Sequence, residues 1–429
     1  MTTATVIGLG KIGLPLAVQI AGAGVRCFGV DISGAVVAQV AAGQPPFPGE
    51  PHLAERLSAA VGAGTLTPTL DVAQAVTGSD VVIVVVPLVV DAAAKPAFGA
   101  LDAATAALSP SLRPGTLVVY ETTLPVGTTR SRFVPALVEG SGLEPGVDLL
   151  VAHSPERVSS GTVFRDLRRY PKLVGGVDAA SATRAVAFYR EVLEFDVRPD
   201  LPRPNGVWDL GSAEAAELTK LAETTYRDLN IGFANELGVY AERLGVDIAD
   251  VIAAANSQPY SHLHSPGFVG GHCIPVYPWF LLDGAPELRL PRTAREVNGA
   301  MPTHVVDVLA AAVGDLTGLR VAVLGLAYRG EVKELAFSGA LPLVEVLRSR
   351  GATPVVHDPL WSTAEIRELG FEPHELGALC DAAIVQADHD AYRSLSPKDI
   401  PGAAALYDVR RCTPVDGWGT LRRLVPGAT

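Results

Sequence analysis

The stretch Ala4-Thr-Val-Ile-Gly-Leu-Gly-Lys-Ile-Gly-Leu-Pro15 decides the fold. A short apolar strand pattern runs into Gly8, Gly10 and Gly13, and a helical pattern follows. Gly8 suits a tight turn, Gly10 lets backbone approach a pyrophosphate, and Gly13 lets the helix pack closely on its strand, with the phosphates at the helix N-terminus. The next strand pattern, residues 25–30, ends at Asp31, about 20 residues beyond the glycines, where a carboxylate accepts hydrogen bonds from ribose hydroxyls and disfavours a 2′-phosphate. NAD is therefore expected in preference to NADP. A chance glycine triplet would lack this order of strand, glycines, helix, strand and acid.

Further strand patterns at residues 80–87, 116–122 and 148–152 each follow a helix-like segment, the mark of a parallel sheet covered by helices. Ligands of such sheets lie beyond the carboxyl ends of the strands. Those ends carry Pro87, then Thr123 in Glu121-Thr-Thr-Leu-Pro-Val-Gly127, then Glu156 in His153-Ser-Pro-Glu-Arg157. A carboxylate beside a reacting carbon can serve as a general base, and a threonine there can hold a water. The plainer readings are an exposed loop acid and a local turn bond.

Residues 201–205, Leu-Pro-Arg-Pro-Asn, read as a boundary, and a helical pattern over 212–244 follows, roughly 50 Å long at the usual rise. Lys220, Thr224, Arg227 and Ile231 share one face, while Leu218, Leu221, Tyr226 and Leu229 offer a more apolar side. Lys220 is one of only six lysines and sits among Ala and Leu, which makes it a candidate cation, although most helix lysines are simply solvated. So long an apolar side also suggests a homodimer about a twofold axis.

After a second helix pattern at 247–256 comes the stretch 265–280, in which Gly and Pro crowd around Cys273. Such a loop is stiff and displays its side chain, so the thiol is either a nucleophile or a small buried hydrophobe. Residues 292–298 and Met301-Pro302 lead into another helix, where Arg295 either clamps a diphosphate or is a surface charge. A second nucleotide-fold pattern occupies 318–408, with strands at 320–326, 353–357, 383–386 and 405–408 and a helix at 338–350. Its first turn, Gly325-Leu-Ala-Tyr-Arg-Gly330, lacks the full glycine triplet.

At 429 residues the chain exceeds one hydrophobic core. The patterns divide it into an NAD-binding domain (1–200), a helical domain with the cysteine loop (201–305) and a second nucleotide domain (306–429). The expected class is α/β: two Rossmann-like, doubly wound parallel-sheet domains joined by a helical domain with a long central helix. The 48% hydrophobic and 6% aromatic content suits such a protein. A net charge of −12 argues against nucleic acid and anionic membrane as partners. The longest apolar run, 81–90, is broken by Pro87 and too short to span a bilayer. Four cysteines without paired spacing, and no metal-ligand spacing around them, point to a reducing, cytoplasmic setting without disulfide or structural zinc.

Together these segments resemble the UDP-glucose/GDP-mannose 6-dehydrogenase family, NAD-dependent nucleotide-sugar dehydrogenases. The resemblance covers nearly the whole chain. It rests on residues 8–15, Thr122-Thr-Leu-Pro-Val-Gly-Thr128, Ser154-Pro-Glu-Arg-Val158, residues 220–236, Gly270-Gly-His-Cys-Ile-Pro275 and Gly325-Leu-Ala-Tyr328. It implies a sugar C6 alcohol oxidised twice, through a thioester on Cys273 that water cleaves. By the same resemblance Lys220 stabilises the oxyanion, Thr123 positions the water and Glu156 is the base. Lys11, Ile12, Pro87 and Thr123 join the glycines and Asp31 around NAD. Arg157, Thr224, Gly270, Gly271, Tyr277, Arg295 and Arg329 join Glu156 and Lys220 around the nucleotide sugar.

The chain departs from the family pattern in several places. Thr224 stands where many members have asparagine, and Tyr277 where many have aspartate. Tyr260 or His262 aligns with an arginine that often reaches the diphosphate from a neighbouring subunit, Arg329 replaces a lysine, and Ala336 replaces the arginine of an Asp-x-Arg-x-Ser pattern. The variants around His153, Arg227-Asp-Leu-Asn-Ile231 and His272 resemble the branch acting on UDP-N-acetylhexosamines, with UDP- or TDP-glucose as the alternative. Two other readings stay open at this stage: a single-step β-hydroxyacid dehydrogenase, which needs neither the displayed thiol nor a second nucleotide domain, and a non-enzymatic nucleotide-sugar sensor.

Overall fold

The computed structural model describes residues 2–427. Eight strands form the first sheet among the described residues: β1 (Thr3–Ile7), β2 (Arg26–Val30), β3 (Leu66–Thr69), β4 (Val81–Val84), β5 (Thr116–Tyr120), β6 (Leu149–His153), β7 (Lys172–Gly176) and β8 (Val207–Asp209). Their order is β3-β2-β1-β4-β5-β6-β7-β8, so the sequence reverses direction between β1 and β4. That reversal opens the crevice in which such sheets bind ligands. Strands such as Val81-Val-Ile-Val84 are buried on every residue, as expected when helices cover both faces.

Every pair in this sheet is parallel except β6 with β7, which run antiparallel with His153 opposite Gly175. This reversal places the first residue of β7, Lys172, at the same edge as the carboxyl end of β6. Strands β3, β7 and β8 lie outside the sequence-based expectation because they are short and carry Pro, Gly or a charge.

The second sheet comprises β9 (Arg320–Leu324), β10 (Thr353–His357), β11 (Ala382–Val385), β12 (Ala405–Asp408) and β13 (Arg422–Leu424), all parallel, in the order β10-β9-β11-β12-β13. Side chains alternate along each strand. Val321, Val323, Ala382 and Ile384 join one core. Ala322, Leu324, Ala383 and Val385 join the other.

The chain divides into two compact units: one runs to Ala222 and includes Trp279–Gly284, the other comprises Glu223–Pro278 and the chain from Ala285 onward. The division falls inside the long helix Ala213–Leu244. Its expected apolar side is split, because Leu221 is fully buried whereas Leu218 and Tyr226 are about half exposed. Helix Arg289–Val313 continues through Pro302, where the sequence suggested a break. Buried Met301, Val305, Val306 and Leu309 around it offset the roughly 3 kcal/mol that an interior proline costs. The cysteine loop also ends sooner than expected, since a helix starts at Tyr277.

Candidate active site

In the first unit the glycine turn follows β1 as the sequence implied. Gly8 has φ +99° and donates its N–H to Val30 O at 2.8 Å, and a Cβ there would lie 2.8 Å from the Val85 carbonyl oxygen. At Gly13 a Cβ would fall 1.9 Å from Gly8 O, which no side chain tolerates. Gly10 is exposed and has nothing within 4 Å of its would-be Cβ, so a phosphate can reach its backbone. The helix Gly13–Gly22 has no side-chain cap, and since Leu14 N donates to Gly10 O at 3.1 Å and Pro15 has no N–H, an anion at this helix end would meet the backbone of the glycine turn. Asp31 accepts from Leu9 N and Ser33 N, both at 2.9 Å, and is thereby oriented at the end of β2. These features fit a dinucleotide, with Lys11 and Ile12 half-buried in the turn and Pro87 exposed beyond β4.

Thr123 and Glu156 lie beyond the ends of β5 and β6. Thr122 spends its hydroxyl on Val86 O at 2.7 Å, and the adjacent Thr123 is 5% exposed. Glu217 on the long helix fixes this loop. It is fully buried and accepts from Gly127 N at 2.5 Å, Thr129 N at 2.9 Å and the Thr129 hydroxyl at 2.6 Å. The loop of Thr123 is thus tied to the helix that carries Lys220, one turn beyond Glu217. Lys220 and, a further turn on, Thr224 are 9% and 5% exposed, so neither is the solvated helix residue of the plainer reading.

Glu156 is no exposed loop acid either. Its Oε1 accepts from Arg157 N at 2.6 Å and Val158 N at 3.0 Å, and its Oε2 from Lys172 Nζ at 3.1 Å. Burial pushes the carboxyl upward, but the Lys172 charge and these hydrogen bonds outweigh it and hold Glu156 below its ordinary range. It is therefore ionised at neutral pH, as a base must be. Arg157 donates to Pro171 O at 3.2 Å. Lys172 itself escaped the sequence reading, as did its second partner, Glu121.

In the second unit, Cys273 is exposed, whereas Cys27 and Cys380 are buried and Cys412 is partly buried. Burial pushes Cys27 and Cys412 up to about 12 and Cys380 to about 11, which leaves those three as thiols. The loop before Cys273 is fastened at several points. Asn235 of the long helix accepts from Gly267 N at 2.7 Å and donates to Gly267 O at 3.1 Å and to Asn298 Oδ1 at 2.8 Å. Gly271 N donates to Ala336 O at 2.9 Å. The buried guanidinium of Arg410 donates to the carbonyls of Gln386 at 2.8 Å and Tyr328 at 3.2 Å, with Phe268 O at 3.4 Å. Gly270 is required by close approach, since a Cβ would lie 2.8 Å from both Phe337 O and Tyr328 Cβ. Tyr277 N donates to Cys273 O at 2.9 Å, so Tyr277 opens the helix that follows the thiol.

Arg295 is no surface charge, its side chain being 9% exposed. Its guanidinium grips Asp228 through two hydrogen bonds, Nε to Oδ2 at 2.7 Å and Nη2 to Oδ1, and Asn298 donates to Asp228 Oδ1 at 2.8 Å. Held by that fork, Arg295 links two helices. Arg329 is exposed, its Nε donating to the Tyr328 hydroxyl at 3.1 Å.

Comparison with known proteins now decides the family. Residues 2–193 match the NAD binding domain of the UDP-glucose/GDP-mannose dehydrogenase family, 214–300 its central domain and 322–415 its UDP binding domain. The chain belongs to this family. It is 34% identical over 404 residues to a UDP-N-acetyl-D-mannosamine dehydrogenase of Pyrococcus horikoshii, covering 92% of this chain and 91% of that one. It is likewise 34% identical to an NDP-N-acetyl-D-galactosaminuronic acid dehydrogenase of Ralstonia nicotianae, over 92% of both chains. A solved structure of a UDP-D-ManNAc dehydrogenase from Pyrococcus horikoshii matches with a TM-score of 0.88 at 31% identity, covering 99% of each chain.

This family member is thus an NAD-dependent nucleotide-sugar 6-dehydrogenase, which sets aside the single-step dehydrogenase and the sensor. Among the described residues no helix is long and apolar enough to cross a membrane.

Proposed function

We propose that this dehydrogenase oxidises the C6 hydroxyl of a UDP-N-acetylhexosamine to the carboxylate, with Cys273 carrying the intermediate as a thioester. The observation that carries the reading is Cys273 itself: it is the exposed cysteine of the four, on a loop fastened by Asn235, Ala336 and Arg410. The hexosamine preference rests on the names of the relatives above. UDP- or TDP-glucose is the alternative that a substrate panel tests.

Bound NAD supplies the hydride acceptor. The Lys220 ammonium favours loss of the C6 hydroxyl proton and stabilises negative charge on that oxygen. With hydride loss from C6 the alcohol becomes the aldehyde; the Cys273 sulfur gives up its proton and bonds to the aldehyde carbon as the C=O π pair moves to oxygen, and loss of a second hydride from that carbon, to a second NAD, restores the C=O and leaves a thioester. A water held by Thr123 loses its proton to Glu156 as its oxygen bonds to the thioester carbon. The C–S bond then breaks and its electron pair returns to Cys273.

The test is product stoichiometry with the purified enzyme. Two NADH per sugar and a uronic acid are expected, and one NADH with an aldehyde product would overturn the thioester reading. Cys273→Ser is expected to lower complete oxidation by about 10³-fold or more. Unchanged turnover in that variant would remove Cys273 from the mechanism. A panel of UDP-, TDP- and GDP-sugars decides the substrate, and faster turnover of UDP- or TDP-glucose than of any N-acetylhexosamine would replace the hexosamine assignment.

We also propose a homodimer working in the cytoplasm. Tyr226, Phe233, Tyr240 and Leu244 recur along one side of the long helix and are each more than half exposed in the single chain. Such a stripe is an unusual cost to leave in water. Light scattering at the monomer mass would contradict the dimer, and recovery in the periplasmic or secreted fraction would contradict the location.

A further inference from the structure

Three titratable side chains from three strand ends meet in the first unit, away from the glycine turn. Lys172 Nζ lies 2.9 Å from Glu121 Oε2 and 3.1 Å from Glu156 Oε2. The three side chains are 5%, 0% and 12% exposed. The Tyr189 hydroxyl donates to Glu121 Oε1, and the Tyr189 ring centroid is 4.8 Å from Nζ. The strongest charge acting on both Glu121 and Glu156 is that of Lys172. Burial and the Lys172 charge push His153 down to about 3, so it is neutral. Asp166 is turned toward Ser159, Thr162 and Arg165. Arg157 donates to Pro171 O, with Tyr170 beneath its guanidinium.

One buried ammonium therefore faces two carboxyl groups. Two carboxylates with a single counter-ion would leave a net negative charge out of water, so one carboxyl holds a proton. The donors decide which. Glu156 receives two backbone N–H groups and the ammonium. Glu121 receives no backbone donor on its side chain: its Oε1 accepts from the Tyr189 hydroxyl, and its Oε2, although 2.9 Å from Nζ, receives no hydrogen bond of good geometry. Burial pushes Glu121 up to about 7, with the Glu156 charge adding and the Lys172 charge opposing.

We propose that the thioester-cleaving base is a three-residue unit, in which Lys172 and Glu121 act as positioning residues that keep Glu156 the ionised carboxylate. The proposal rests on Glu156 being the base, as read above. In the step it governs, the water proton passes to Glu156, the water oxygen bonds to the thioester carbon, and the Cys273 thiolate leaves. Lys172 fixes the direction of the Glu156 carboxylate. Glu121, neutral below its titration, keeps a second negative charge from competing for the ammonium.

The experiment separates acylation from hydrolysis in the full-length enzyme by stopped-flow NADH formation, with intact-mass detection of the Cys273 adduct. Lys172→Met is expected to accumulate the adduct and to lower steady-state turnover by about 10²-fold, with Lys172→Arg recovering most of it. Glu121→Gln, the milder variant, is expected to retain acylation and to remove from the hydrolysis pH profile an inflection near that of Glu121 in the wild type. Wild-type hydrolysis and an unchanged pH profile in both Lys172→Met and Glu121→Gln would overturn the proposal. So would a Lys172→Arg variant as slow as Lys172→Met. Glu156→Gln separates the two levels. If it hydrolyses normally, the reading of Glu156 as base fails; if it stalls while the other variants behave as wild type, only the three-residue unit fails.

Discussion

The two sheets share one opening device and use it for different ends. After β1, Gly8 at φ +99° donates to Val30 O; after β9, Gly325 at φ +100° donates to His357 O at 2.7 Å. In each case the acid ending the neighbouring strand reaches back to the turn. Asp31 accepts from Leu9 N at 2.9 Å, and Asp358 from Leu326 N at 2.7 Å and Ala327 N at 3.1 Å. From there they part. Asp31 stays partly exposed, and its turn runs straight into a helix at Gly13. Asp358 is buried, its carboxylate also accepting from Leu360 N and paired with His389 Nε2 at 3.1 Å, and the chain wanders from Tyr328 to Gly339 before the helix Ala340–Ser349. The first turn keeps donors for a ligand. The second has spent them on its own structure, and its long loop receives the cysteine stretch through Ala336 and Tyr328.

This contrast can be broken experimentally. The largest effect is expected from Gly13→Val, whose side chain has no room against Gly8 O: a loss of roughly 3 kcal/mol or more and of measurable NAD binding. Thermal melts and NAD titration check it. Next comes a paired exchange of the acids. Asp31→Ser is expected to narrow the preference for NAD over NADP by about 10-fold to 100-fold, whereas Asp358→Asn should leave cofactor choice alone and cost about 2 kcal/mol of stability. Cofactor-dependent kcat/KM and chemical denaturation separate the two. A shift in cofactor preference on Asp358→Asn would show that the second turn is not self-satisfied.

The smallest effect concerns pH. Burial lowers His389, but the Asp358 hydrogen bond and charge, with the Glu331 charge, raise it net above 6.5. Its contribution is whole below 6.5 and is lost as pH rises through the raised value. Burial raises Asp358, but His389 and backbone donors lower it net below 3.8, so its contribution holds above 3.8 and is lost as pH falls through the lowered value. The stability difference between wild type and His389→Gln should therefore be greatest between those limits and shrink on the alkaline side. A difference that grows with pH would contradict the pair.

Which residues were legible follows from how local their determinants are. The glycine turn, Asp31 and the long helix depend on neighbours within a few turns of chain, and pattern alone places them. Lys172 depends on the sense of a strand. Pro171-Lys-Leu-Val-Gly-Gly176 reads as strand-like in either direction, and only pairing with β6 reverses it and brings Lys172 to the carboxyl ends of β5 and β6. Arg295 depends on Asp228, which lies 67 positions away on another helix. A sequence offers an arginine and an aspartate there without saying that they meet. Asn235 and Glu217 look like ordinary polar residues of a surface helix until the loops they hold are folded against them.

The fastening of the cysteine loop bears on how enzymes of this kind can be recombined. Residues 265–278 are held by Arg410, Ala336 and Tyr328, all of which belong to the second nucleotide domain or its first loop. A chimera that imports a foreign domain from residue 320 onward, in order to change nucleotide preference, would dock the native thiol loop on unfamiliar carbonyls. The loop and that domain are one inheritance unit and should be exchanged together.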